Sequence, residues 1–333
     1  MATTVNTAFS EFMKDIVNLD PDITKNARDS RDNLLANITE FDDKDDFFDL
    51  CESFNVHFGS FARRTKCREL DDIDLMIGIA ASGASYFEYD PWDSTRIAAS
   101  KTNAAQVACT SSDGTLNSTL VINKFKKKLE NVREYKRSEI NKRGEAVVLN
   151  LISKDWSFDI VPCFHTVKES DGRDFYLIPN GSGGWKKTDP NIDRDAIQSI
   201  NTQLGGRVLE LIRLVKRWNK TKRAYTIPSY LLETLLFDYC KTQTELSQYI
   251  DLRFRDALLY VANNIGKDVL DPKNIQGNIN TLSNYDKIVL QLKAETDYTK
   301  ACEAVAFETK DKDHQKSINK WGEIFGQDFP TYG

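Results

Sequence analysis

Gly59-Ser60 stands a short polar stretch ahead of Asp72-Ile73-Asp74. The segments Phe54 to Phe58 and Asp72 to Ile77 alternate apolar and polar residues, the pattern of β-strands. Side chains alternate faces along a strand, so Asp72 and Asp74 project from one face while Ile73, Leu75 and Ile77 take the other and pack a core. Neighbouring carboxylates repel unless a cation lies between them. Mg²⁺ meets that need, because it takes oxygen ligands and is commonly shared with substrate phosphates. For Asp-x-Asp alone, a solvated strand end is the plainer reading.

A third carboxylate sharpens the pattern. Trp156 to Pro162 is strand-like and carries one acid, Asp159, in an apolar setting. Ala146 to Ile152 is a second strand candidate, and Ser153-Lys154-Asp155 is a hairpin turn between the two. Such a hairpin can set Asp159 beside the Asp72/Asp74 strand. Three converging carboxylates suffice for two metal ions that activate an attacking hydroxyl and stabilise a leaving phosphate. Taken singly, Asp159 reads as a strand-end residue satisfied by a backbone donor. Gly59 adds weight, since glycine permits close backbone approach to phosphate, and Ser60 offers a hydroxyl and an N–H.

Gly-Ser, then Asp-x-Asp, then a distal Asp, resembles the polymerase-β-type nucleotidyltransferases. Within them the chain is most similar to the cGAS/DncV-like nucleotidyltransferases (CD-NTases) of bacterial CBASS systems, which also resemble oligoadenylate synthases. Phe158-Asp159-Ile160-Val161-Pro162 looks like that family's third-carboxylate strand. Lys216-Arg217-Trp218-Asn219 and Ile227-Pro228-Ser229-Tyr230-Leu231-Leu232-Glu233 look like its triphosphate-binding region. Asp271-Pro272, Trp321 to Gly326 and Phe329-Pro330 look like its C-terminal half, so the resemblance spans most of the chain in order.

The resemblance implies an α+β fold: a polymerase-β-like nucleotidyltransferase core with a mixed β-sheet, a helical C-terminal lobe, and the active site in the cleft between lobes. It implies two Mg²⁺ ions, with Mn²⁺ as a substitute. Asp72 and Asp74 would hold both ions, and Asp159 the one that activates the acceptor ribose hydroxyl for attack on the donor α-phosphate, with pyrophosphate leaving. Lys216 matches a lysine on the donor triphosphate, Ser229 a serine on the same phosphates, and Tyr230 an aromatic that stacks on a base. Gly59 and Ser60 complete the nucleotide-binding set. Plainer readings stand beside each: Lys216 as a solvated helix residue, Ser229 as a helix N-cap, Tyr230 as a core or rim aromatic. Arg63, Arg64, Lys66 and Arg68 either neutralise phosphate or form a solvated loop.

The expected activity is template-independent synthesis of a cyclic di- or trinucleotide messenger from nucleoside triphosphates, purines favoured. A downstream effector would recognise the product in antiphage defence, and any regulatory partner is unspecified. A linear oligonucleotide synthase or RNA-tailing transferase shares the acids, although no appended RNA-binding module is visible. A catalytically decayed nucleotide-binding protein is disfavoured by the intact acids, Gly-Ser and Lys216.

The elements that must position these groups are legible in outline. Phe9, Phe12, Met13 and Ile16 make a helical stripe; Ile23, Ala27, Leu34, Ile38 and Phe41 make a longer one after Pro21. Residues 81 to 119 are rich in Ser, Thr, Ala and Asn with weak periodicity, which predicts loops or a flexible insertion. Asn180-Gly181-Ser182-Gly183-Gly184 is a turn cluster, and Asp189-Pro190 gives an N-cap and first-turn proline. Helical stripes follow: Val208, Leu211, Ile212 and Val215, then Leu232, Leu235, Leu236 and Tyr239. A mixed sheet followed by helices predicts two lobes, with a catalytic core and N-terminal helices over 1–180 and a helical, nucleotide-binding lobe over 181–333.

Composition narrows the partners. The chain has 333 residues, 40% hydrophobic and 29% charged, ordinary for a globular enzyme. No apolar run approaches membrane-spanning length and no signal-peptide pattern opens the chain, so a cytoplasmic enzyme is expected. None of the six cysteines forms a Cys-x-x-Cys pair, which leaves no zinc ribbon and no disulfide framework. The animal DNA sensor of the superfamily carries a zinc insertion that this chain lacks. The net charge of −5 also lacks the basic footprint of a duplex binder. The one basic run, Lys124 to Arg143, carries Val121, Phe125, Leu129 and Val132 at near-helical spacing, which predicts an amphipathic helix with a solvated basic face. Nucleic-acid attraction is the alternative there.

Overall fold

The computed structural model describes residues 2–41, 46–89, 92–221 and 225–333. In chain order the elements are α1 (Val5–Phe12), continued by a π-helical turn over Met13–Val17, α2 (Pro21–Thr39), β1 (Val56–Phe58), α3 (Gly59–Ala62), β2 (Asp72–Gly78), β3 (Ser85–Phe87), β4 (Arg96–Ala98), α4 (Ala104–Val107) and α5 (Ser118–Glu130). Then come β5 (Glu139–Arg143), β6 (Ala146–Asn150), β7 (Ser157–His165), β8 (Tyr176–Pro179) and β9 (Trp185–Thr188). Helices α6 (Pro190–Gln203), α7 (Val208–Lys220), α8 (Ser229–Lys241), α9 (Ile250–Asn264), α10 (Asn284–Thr309) and α11 (His314–Phe325) complete the chain.

Two compact units result. The first, Asp22–Arg63 with Leu70–Arg194, is built on a seven-stranded mixed sheet ordered β1-β2-β7-β6-β5, with β8 on β7 and β9 on β8. β2 and β7 run parallel, and every other neighbouring pair is antiparallel. The expected hairpin joins β6 to β7. Strand alternation explains the layering. Ile73, Leu75, Ile77, Phe158 and Ile160 are fully buried on one face. On the other, Val56, Met76, Val161 and Cys163 form an apolar cluster beyond the acids. α5 packs on the sheet through Val121, Ile122, Phe125 and Leu129. It starts where the Asn117 carboxamide accepts from the Thr119 N–H at 3.0 Å, an N-cap.

The predicted basic helix is therefore real but shorter. α5 ends at Glu130, Val132 leaves the stripe, and Glu139–Arg143 becomes the edge strand β5. Residues 81 to 119 carry the small sheet β3-β4 and the helix α4, where loops were expected. The buried Gln106 carboxamide ties this segment down, accepting from Ser100 N–H at 2.9 Å and donating to the Ala80 and Ala81 carbonyls. In α2 the stripe holds for Ala27, Leu34 and Ile38, whereas Ile23 is exposed.

The second unit, Met1–Pro21, Arg64–Glu69 and Asp195–Gly333, is helical. Its boundary differs from a cut at residue 180: α1 joins the helices, and β9 joins the sheet. Packing is the reason. Phe9 meets Trp321 edge-on with centroids 5.0 Å apart, Phe12 lies 4.9 Å from Phe325, and both rings contact Phe329 at 5.1 Å. The core continues through Leu211, Ile212, Trp218, Leu232, Leu236, Phe254, Leu258 and Val261. Among the described residues no helix is long and apolar enough to cross a membrane. All six cysteines are free thiols.

Candidate active site

The sheet unit brings the acids together. In the parallel pair β2–β7, Asp74 stands opposite Asp159 and Asp72 opposite Ser157. Neighbouring strands lie about 4.8 Å apart, and residues two apart on a strand about 6.7 Å. The three carboxylates therefore share one face at the starting end of both strands. All three are half-buried, and each already takes part in interactions within the protein.

Gly59 belongs to this geometry. β1 pairs antiparallel with β2 so that Phe58 lies opposite Asp74, and the chain turns there into α3. Gly59 sits at φ +71°, and a Cβ on it would stand 1.7 Å from Asp74 Oδ2. Only glycine allows the backbone to pass that close to the carboxylate. Ser60 follows, half-buried, in the same turn. Oxygen-only donors on one strand face suit a hard cation such as Mg²⁺. Among the described residues no three His, Cys, Asp or Glu side chains are gathered into a ready metal cluster, so the fit rests on the shared face, the register and the donor chemistry.

The helical unit holds Lys216, Ser229 and Tyr230; the first two depart from their plainest readings, while Tyr230 sits as a rim aromatic. Lys216 is no solvated helix residue. It is 5% exposed, and its Nζ donates to Glu233 Oε1 at 2.7 Å, while Glu233 Oε2 accepts from Thr65 Oγ1 at 2.9 Å. Ser229 is exposed as the first residue of α8, whose N-cap is Pro228, so the serine caps nothing with its side chain. Tyr230 is half-buried, and its hydroxyl donates to Asp271 Oδ1 at 3.0 Å.

Lys-Arg-Trp-Asn works as a staple for the start of α8. Asn219 donates to the Ile227 carbonyl at 2.7 Å and accepts from the Ile227 N–H at 3.0 Å, which fixes the backbone just before Pro228 and Ser229. Trp218 Nε1 donates to Asp297 at 2.8 Å, and Arg217 bonds Asp328 at 2.6 Å. In the basic loop, Lys66 is buried, Arg68 donates to the Asn18 carbonyl at 2.9 Å, Arg63 is half-buried and Arg64 is exposed.

Sequence reasoning missed Thr65 and Lys273 and gave Glu233 and Asp271 no role. A buried lysine demands an acid partner, but Glu233 lies on a different helix, so no spacing rule points to it. Lys273 ion-pairs with Asp271 at 2.8 Å and hydrogen-bonds the Tyr230 hydroxyl.

A strand acid pair in register with a third acid, under a glycine turn and joined to a helical unit, defines the polymerase-β-type nucleotidyltransferase class. No family model matches the chain. It is 37% identical over 334 residues to a probable cyclic nucleotide synthase of Bacillus cereus (strain VD146), covering 100% of this chain and 99% of the relative. The chain thus belongs to the bacterial cyclic nucleotide synthases, the CD-NTase family, and is a nucleotidyltransferase. The fold agrees. CdnC of E. coli MS115-1 solved with ATP superposes with TM-score 0.71 at 16% identity, covering 98% of both chains. CdnC in its HORMA-deltaN complex gives TM-score 0.69 at 17% identity over the same share.

Proposed function

We propose that this enzyme joins nucleoside triphosphates without a template, using Mg²⁺, and closes a cyclic di- or trinucleotide that serves as an antiphage messenger. The observation that carries this reading is the register of Asp74 on Asp159, with Asp72 on the same strand face. Asp72, Asp74 and Asp159 would hold two Mg²⁺, or Mn²⁺, which lower the pKa of the acceptor hydroxyl and neutralise the leaving pyrophosphate. Within the protein, the acids fix that charge at one point of the sheet, and the Gly59 turn lets backbone and the Ser60 hydroxyl approach a phosphate. Ser229 and Lys216 are assigned to the donor triphosphate and Tyr230 to its base. Because Glu233 already neutralises Lys216, the two act as a unit, with a weaker pull on phosphate than a lone ammonium. Positioning and fixed charge supply most of the catalysis in such a site.

ATP is the first substrate to test, since CdnC is solved with ATP. That protein's complex with HORMA-deltaN makes a protein partner the natural second route of control for this chain. The test is incubation with all four nucleoside triphosphates and Mg²⁺, followed by mass identification of products and phosphatase challenge. A phosphatase-resistant cyclic product, lost on metal chelation, is expected. A phosphatase-sensitive linear product would overturn the cyclic assignment, and turnover that survives chelation would overturn the metal assignment.

A further inference from the structure

Lys273 is a buried cation with no part in the reading above. It is 4% exposed, and Asp271, its partner, is 5% exposed. The pair is rigidly mounted. The Asp271 carboxylate accepts from the backbone N–H groups of Lys273, Ile275 and Gln276 at 3.1–3.2 Å, so it organises the loop that carries the lysine. Burial pushes the Asp271 carboxyl up, but the Lys273 ammonium and the backbone N–H groups of Gln276 and Lys273 outweigh it and hold it below its ordinary value.

Both charges converge on one side chain. Tyr230 donates its hydroxyl to Asp271 Oδ1 at 3.0 Å, and Lys273 Nζ hydrogen-bonds the same hydroxyl and stands 4.2 Å from the ring centroid. An ionic pair costs desolvation, and breaking it by removing one partner is strongly unfavourable. A tyrosine held this way loses its rotamer freedom before any ligand arrives, which is how preorganisation raises affinity. The ammonium also draws on the ring's π density. A ring so fixed and polarised favours a large, electron-rich stacking partner.

We propose that the Asp271–Lys273 pair positions Tyr230 as a preset stacking platform and biases the site toward purine over pyrimidine triphosphates. The inference rests on the reading of Tyr230 as the residue that meets the base, and it adds two positioning residues and a physical cause for the purine preference already expected from the sequence.

The test is a double-mutant cycle read in kcat and KM for ATP and for CTP, with Lys273→Met, Tyr230→Ala and the double variant. Lys273→Met is expected to raise the ATP KM about tenfold, to leave kcat within about twofold, and to narrow the ATP:CTP preference. Lys273→Arg, which keeps the cation, restores most of the loss. In the Tyr230→Ala background, Lys273→Met has no further effect. If the two losses instead add, Lys273 does not act through Tyr230 and the proposal fails. If Tyr230→Ala alone leaves the ATP KM unchanged, the base-contact reading itself fails and the proposal with it, a result visible before Lys273 is touched. Should Lys273→Met not fold, Asp271→Asn with Lys273→Met removes both charges and is read in the same cycle.

Discussion

At the scale of single residues, the acids and the glycine beside them make the sharpest demands. Asp72→Ala with Asp74→Ala is expected to abolish product while leaving the protein folded, because both side chains are half-buried at the start of the strand rather than part of the fully buried core. Product at the wild-type rate would remove the acids from the chemistry. Gly59→Ala is expected to cost about 1–2 kcal/mol for its left-handed backbone. The added Cβ would also meet Asp74 Oδ2 at 1.7 Å and displace the carboxylate proposed to hold the metal. A shift of about 1 Å there is expected to cost on the order of a hundredfold in turnover, read as pyrophosphate release beside a melting curve. Lys216→Ala is a stability variant before it is a kinetic one. It removes the counter-charge of the buried Glu233 carboxylate, leaving it the Thr65 hydroxyl, and is expected to cost about 3–5 kcal/mol, so its activity is meaningful only against its thermal midpoint. Removing both charges, by Lys216→Met with Glu233→Leu, is expected to recover most of that stability.

At the scale of elements, legibility followed periodicity. β2 was readable because Asp72 to Ile77 alternates cleanly, and the alternation alone puts both acids on one face. The neighbour of β2 was only partly readable. The hairpin Ala146 to Pro162 was visible, but which of its strands lies against β2, in parallel and in register with Asp74, is a long-range choice that no local pattern encodes. β3 and β4 were missed because strands of three residues offer too few alternations to stand out from a Ser/Thr-rich stretch. The Lys-Arg-Trp-Asn segment was recognised as a motif, yet its mechanical work was hidden, since Asn219 acts on the backbone of Ile227 and Lys216 on a second helix. That work can be measured. Asn219→Ala leaves a buried carbonyl and a buried N–H at Ile227 unmade and is expected to lower stability by about 1–3 kcal/mol. An unchanged melting curve would show that α8 starts correctly without the clamp.

At the scale of the whole molecule, charge decides what kind of signal can reach the enzyme. The net charge is −5, and the helical part of the one basic run is engaged at three of its lysines. Lys128 pairs with Asp46 at 2.5 Å and stands 5.5 Å from the Phe47 ring, Lys126 lies 3.7 Å from Glu130, and Lys124 reaches over the Phe48 ring. The opposite face of α5 is spent on the sheet. A protein held inactive until duplex DNA arrives would need several phosphate contacts, and its stimulation would fall steeply with salt. The purified enzyme is therefore expected to make product from nucleoside triphosphates and Mg²⁺ alone, with added duplex changing the rate by less than about threefold. The opposing possibility is concrete: Lys124 to Arg143 as a ridge facing DNA. One titration separates them. Strong, salt-sensitive stimulation by duplex, lost when Lys126, Lys127 and Lys128 are changed to glutamate, would overturn the expectation and make this chain a nucleic-acid sensor. A flat response across duplex and salt would leave control to whatever protein or metabolite binds elsewhere on the chain.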